Sequence, residues 1–210
     1  MIRTKWLLAA FILATAALNW YTNTYVLTRE LYHQLLGAQM ELARIDANFD
    51  FVQRFALWGY LMVPLTVVAR IVIVSLVIQL FLVLFTLEYP FASVMRAVTV
   101  AYPATLFTSV LNTVFLATRD ADSVSLATLK VVPGSLSSFL LPDADATGAI
   151  YGLLSQISLP ELAWCALAIA VLLSARPMDR WPVVASVCGT WILLTLLGWG
   201  LATYLSGVRS

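Results

Sequence analysis

Charge is scarce in this sequence. Asp, Glu, Lys and Arg make up 11% of its 210 residues, less than half the quarter typical of soluble domains. So few ionic groups exclude a conventional solvated surface. With 61% hydrophobic residues and a mean hydropathy of +0.91, much of the chain is expected to take lipid as its solvent. A net charge of +1, with no run of Lys or Arg, gives no support to nucleic-acid binding, and no nucleic-acid partner is expected. His33 is the single histidine, which rules out a two-histidine metal site. On a helix near Glu30 it is expected to be solvated. The two cysteines, Cys165 and Cys188, lie in apolar stretches without metal-ligand spacing and read as buried thiols. No glycine-rich phosphate loop and no Gly-x-Ser-x-Gly elbow is present. Asp143-Ala144-Asp145-Ala146-Thr147-Gly148 resembles half of a calcium loop. Leu154 stands where that loop needs its closing carboxylate, so a capped helix start is the expected reading. These absences predict a protein that is not an enzyme, with no catalytic residue, no cofactor and no metal.

What is present is a series of long apolar runs. They predict an all-α, polytopic bundle of about five transmembrane helices, since only structures that satisfy their own amides can cross a bilayer. Three segments organise the chain: an N-terminal transmembrane helix over 1–28, an amphipathic extracytoplasmic helix over 29–54, and a four-helix membrane domain over 55–210. The first run, 6–28, contains Ala14-Thr15-Ala16, which looks like a signal-peptide cleavage site. It continues through Trp20, Tyr21 and Tyr25, an interface belt that favours an uncleaved helix. Over 29–54, Leu31, Leu35, Ala38, Leu42, Ile45, Phe49 and Val52 alternate spacings of four and three. Such a helix either lies on the membrane surface or packs against another helix.

The run over 55–87 is too long for one span and is interrupted by Arg70. Arg70 and Glu88 lie eighteen residues apart, about 27 Å along a helix, close to a hydrocarbon thickness of about 30 Å. Residues 71–87 are therefore expected to span between these two charges, after a kinked or interfacial entry segment over 55–69. In the sharper alternative, Arg70 is buried and functional. Residues 97–118 form the third span, with Asn112 its most polar interior residue. The long connection over 119–160 carries Asp120, Asp122, Asp143 and Asp145, and Asp143 is expected to cap a short helix. Ser158-Leu159-Pro160-Glu161 reads as a capping box opening the fourth span. A polar turn over 176–180 leads to the fifth span over 181–208, where Gly189, Gly198 and Gly200 permit close packing.

Five spans place the termini on opposite sides. Arg3, Lys5, Arg96, Arg176 and Arg180 are concentrated in the short segments of one side, with only Glu88 and Asp179 as acids. Basic density in short loops predicts a multi-pass protein of the cytoplasmic (inner) membrane, N-terminus inside and C-terminus outside.

The order of features has a relative. A long span is followed by a short loop and Phe91-Ala92-Ser93-Val94-Met95-Arg96-Ala97-Val98-Thr99-Val100-Ala101-Tyr102-Pro103. After a longer loop comes Ile157-Ser158-Leu159-Pro160-Glu161-Leu162-Ala163-Trp164, entering the fourth span. Over roughly 57–204 the chain resembles the bacterial branch of the Yip1 family. The resemblance implies a non-enzymatic, five-helix membrane protein with a cytoplasmic N-terminus, and an accessory role beside transport machinery of the ABC type. It transfers no functional residue.

Two functions are therefore expected. The first is an accessory or scaffold component of a membrane complex, with the lipid bilayer and a membrane protein as partners. The second is a small transporter or permease with a cavity near Arg70, Asn112 and Glu161. The candidate polar positions are Arg70, Glu88, Asn112 and Glu161.

Overall fold

The structure, a computed structural model, describes residues 4–37, 40–119, 131–140, 149–176 and 180–207. The regular elements among them are helical, joined by one isolated antiparallel bridge between Ser135 and Ser158. Among the described residues, three helices are long and apolar enough to cross a membrane: 42–84, 91–117 and 180–204.

Helix α1 (Thr4–Tyr21) runs directly into a π-helical turn (Thr22–Val26), closed by the Leu27 amide donating to the Thr22 carbonyl at 2.8 Å. Phe11 of α1 stacks on Tyr102, and eleven residues further on the Thr22 hydroxyl meets that of Thr113 at 3.0 Å. A constant offset between these pairs means α1 runs parallel to the helix that carries Tyr102 and Thr113. Helix α2 (Arg29–Leu36) is capped by the Thr28 hydroxyl, which accepts from the Leu31 amide.

Helix α3 (Leu42–Leu84) is 43 residues long, about 64 Å at helical rise. Val63, Val67, Ile71, Ser75, Ile78 and Leu82 are its buried positions beyond the first turns. Their spacing of four and three gives one continuous inner stripe. The helix ends where Thr86 adopts φ 59° and Pro90 follows. Helix α4 (Phe91–Ala117) then returns along α3. Two short helices, α5 (Leu136–Leu140) and α6 (Ala149–Ser155), precede α7 (Leu159–Ala175) and α8 (Arg180–Gly207).

Helices α3, α4, α7 and α8 form a ring in which neighbours are α3–α4, α4–α7, α7–α8 and α8–α3. The α4–α7 pairing is the most extensive. Buried Ala97, Ala101 and Ala104 on α4 and Ala168 on α7 allow these backbones a close approach. At the α3–α8 contact a Cβ on Gly189 would lie 3.2 Å from the Phe81 ring, so glycine there makes room for the aromatic side chain. Gly198 and Gly200 face open space and serve no such contact.

Several segment boundaries differ from those expected. The stripe over 29–54 is not one amphipathic helix. The chain leaves α2 at Gly37 and re-enters helix at Leu42, with Glu41 extended at the N-cap. Leu31 and Ile45 are buried, but Leu42 and Val52 are exposed. The two pieces fold against each other instead: His33 pairs with Asp46 at 2.8 Å and Arg29 with Asp50 at 2.7 Å. His33 is thus half-buried rather than freely solvated. The expected entry segment over 55–69 is simply part of α3, helical through Gly59 and Pro64. The segment 71–87 is cut short because α3 stops at Leu84, and the third span starts earlier, at Phe91. Asp120, Asp122, Asp143, Asp145 and the 177–179 part of the polar turn lie outside the described residues, as do the Asp143 cap and the calcium-like loop.

Candidate functional site

One end of the ring holds the short loop with buried Tyr89 and the Arg176 guanidinium, 5.3 Å from the Tyr89 ring centre. Counting from that end, Arg70 lies fourteen residues from Leu84, Thr105 fourteen from Phe91, Glu161 fourteen from Ala175 and Thr195 fifteen from Arg180. All four positions are therefore about 21–22 Å along their helices. Four separate helices bring polar side chains to one level.

At that level they line a half-open cavity of about 150 Å³ between the four helices. Its α3 wall is Arg70, Ile71 and Val74, and its α4 wall is Val98, Tyr102 and Thr105. Glu161 and Trp164 come from α7, with Gln156 just before that helix. Trp191, Leu194 and Thr195 complete it from α8. Helix α7 begins here, and its start is set by local chemistry. Ser158 accepts from the Glu161 amide at 3.4 Å, and Pro160 occupies the first turn, where no amide is needed. The Leu136 amide donates to Ile157 O at 2.7 Å and the Leu159 amide to Gly134 O at 3.2 Å, which hold the chain ahead of α7. Ser135, Ser137 and Ser158 are buried around this bridge.

Only half of the expected capping box forms. The Glu161 carboxylate does not turn back to the Ser158 amide; it lines the cavity with Trp191 and stands within electrostatic reach of Arg70. Arg70 and Glu161 come from positions 91 residues apart. They share the cavity, yet no nitrogen–oxygen distance between them falls within 4.0 Å. Arg70 is exposed and Glu161 half-buried. Opposite charges are thus set on facing walls without closing into an ion pair.

The other two candidate positions lie elsewhere. Glu88 is exposed in the α3–α4 loop. Asn112 sits on α4, seven residues beyond Thr105 and outside the cavity lining. Its Oδ1 is buried without a hydrogen-bond partner among the described residues, a costly state for a polar atom. Sequence reasoning did not single out Trp164, Trp191, Tyr102, Thr105 or Thr195. Trp164 carried a signal: it lies three residues after Glu161, on the same helical face. The α8 residues carried none, because their level depends on where α8 starts. Cys165 is buried and Cys188 half-buried, and both are free. No group of three or more metal-ligating side chains occurs among the described residues.

Compared with known proteins, the chain matches no family, no curated protein and no solved structure.

Proposed function

We propose that the chain is a five-span inner-membrane protein, with α1, α3, α4, α7 and α8 as its spans, that works by admitting a polar ligand to the Arg70–Glu161 cavity. It acts as a small permease or as the binding subunit of one. The parallel course of α1 and α4 supports an N-terminus on the side of the Tyr89–Arg176 end. Lys5, Arg96, Arg176 and Arg180 favour the cytoplasm for that side. The resemblance to the bacterial Yip1 branch fits the same five-helix plan.

The observation that carries this reading is the depth of the two charges. Beyond the cavity, α4 still exposes Phe107, Val110 and Val114, and α8 exposes Leu196, Leu197 and Leu201. Arg70 and Glu161 therefore sit within the apolar zone and not at its edge. Ionisable groups inside a membrane are expensive and face cavities with a task. Irregular backbone, such as the Ser135–Ser158 bridge ahead of α7, is tolerated at such depth where it is buried in protein or lines a wet cavity.

Cysteine accessibility tests it. In a chain carrying Cys165→Ala and Cys188→Ala, Thr195→Cys should react with a small, charged methanethiosulfonate in membrane vesicles, and Leu196→Cys should not. Equal reactivity at both positions, or none at either, sinks the cavity reading.

The accessory-scaffold reading has one observation of its own. Phe51, Phe55 and Trp58 are exposed on the amino-terminal half of α3, beside the α2 elbow, a face suited to a membrane-protein partner. Recovery of the chain alone after purification in mild detergent would count against it.

A further inference from the structure

We infer that the cavity receives a zwitterion bearing an ammonium group and an oxyanion, the chemistry shared by an ethanolamine phospholipid headgroup and a small free solute such as O-phosphoethanolamine. This inference rests on the cavity reading above and specifies its ligand.

Three features point to that class. First, both signs of charge are present and held apart. A site for an anion alone is weakened by Glu161, and a site for a cation alone by Arg70. A ligand carrying both charges meets each in its favourable sense, with the guanidinium forking onto the oxyanion and the carboxylate accepting from the ammonium. Second, the aromatic side chains favour the ammonium pole. Trp164 shares the Glu161 face of α7, and Trp191 and Tyr102 line the same cavity. Aromatic faces attract ammonium groups most strongly where water is scarce. Third, size limits the ligand. A cavity of about 150 Å³ is the size of one known to take a benzene. It holds a headgroup or an amino-acid-sized solute and leaves no room for acyl chains. Thr105, Thr195 and Gln156 add uncharged hydrogen-bonding groups to the walls.

The purified full chain is incubated with equal amounts of phosphatidylethanolamine and phosphatidylglycerol of identical acyl chains, and retained lipid is read by native mass spectrometry. In parallel, O-phosphoethanolamine is titrated against tryptophan fluorescence. Both lipids carry the phosphate, but only one carries the ammonium. Phosphatidylethanolamine should be retained about tenfold over phosphatidylglycerol, the weight of one charge-assisted contact. Glu161→Gln should bring that ratio close to one, Glu161→Asp should preserve part of it, and Arg70→Gln should weaken retention of both lipids. If the lipids do not bind and O-phosphoethanolamine does, with the same dependence on Glu161 and Arg70, the inference holds with a free solute as the source. Wild-type retention of the two lipids without preference, and no response to O-phosphoethanolamine, overturns it. With Thr195→Cys still labelled, that result leaves the cavity reading intact; with Thr195→Cys unlabelled, both fall.

Discussion

Placing a side chain at Gly189 tests whether α3 and α8 meet as closely as their packing requires. A Cβ there would stand 3.2 Å from Phe81 Cε1 and 3.4 Å from Cζ, tighter than ordinary van der Waals contact. At Gly198, on the same helix, it would meet nothing within 4 Å. Replacing either glycine by leucine improves intrinsic helix propensity by a similar amount, about 0.8 kcal/mol. That gain cancels when the two variants are compared. What remains is the cost of forcing leucine against the Phe81 ring, about 1–3 kcal/mol for overpacking of this kind. Gly189→Leu should therefore unfold about 1–3 kcal/mol more readily than Gly198→Leu. Unfolding in mixed micelles, driven by added dodecyl sulfate and followed by circular dichroism, measures the difference. Adding Phe81→Ala should recover much of the loss in the Gly189→Leu chain, with a coupling of about 0.5–3 kcal/mol. Equal stabilities of the two leucine variants, within about 0.5 kcal/mol, would refute the packing argument.

Two further outcomes follow from burial and capping. Leu82 is 0% exposed on α3, whereas Leu84 is 68% exposed. Leu82→Ala should cost about 2–5 kcal/mol and Leu84→Ala under about 0.5 kcal/mol, both read in the same micellar assay. Ser158→Ala removes the acceptor for the Glu161 amide at the head of α7 and should cost about 0.5–2 kcal/mol. Ser158→Thr keeps a capping hydroxyl and should retain most of that stability; a Thr variant as weak as the Ala variant would remove capping as the cause.

Local chemistry made much of this architecture legible. On α3 the apolar run made helix legible but not its inner face: exposed Ile73, Leu76, Leu80 and Val83 repeat three and four as buried Ile71, Ser75, Ile78 and Leu82 do, so spacing alone does not choose between them. Ser158 and Pro160 marked the start of α7 because cap and first turn are local preferences. Arg70 stood out as a charge interrupting an apolar run, which needs a partner or a task, and Glu161 as the acid of a capping box at the head of the fourth span. The permease reading expected them beside one cavity, but the level at which the helices bring them together was not legible. It depends on fourteen-residue distances along α3, α4 and α7 coinciding, and each of those distances is fixed by a helix end 85–91 or 175–180 in the chain. The pattern over 29–54 misled for a related reason. Heptad spacing continues through residues 37–41, but it says nothing of the His33–Asp46 and Arg29–Asp50 pairs that reward a fold-back there. Glu161 satisfied the spacing of a capping box, but only the Ser158 half forms, and the Glu161 side chain joins the cavity lining instead.

The unbroken course of α3 makes it a lever. Twenty-eight residues separate Arg70 from the amino-terminal end at Leu42, an arm of about 42 Å at helical rise. A swing of about 10° around Arg70 would carry the far tip through about 7 Å at that arm length. The fold-back of α2 is anchored near that tip by Asp46 and Asp50. Pro64, six residues before Arg70, cannot supply a helical amide, so part of a push on the elbow is taken up by bending there before it reaches the guanidinium at the fulcrum.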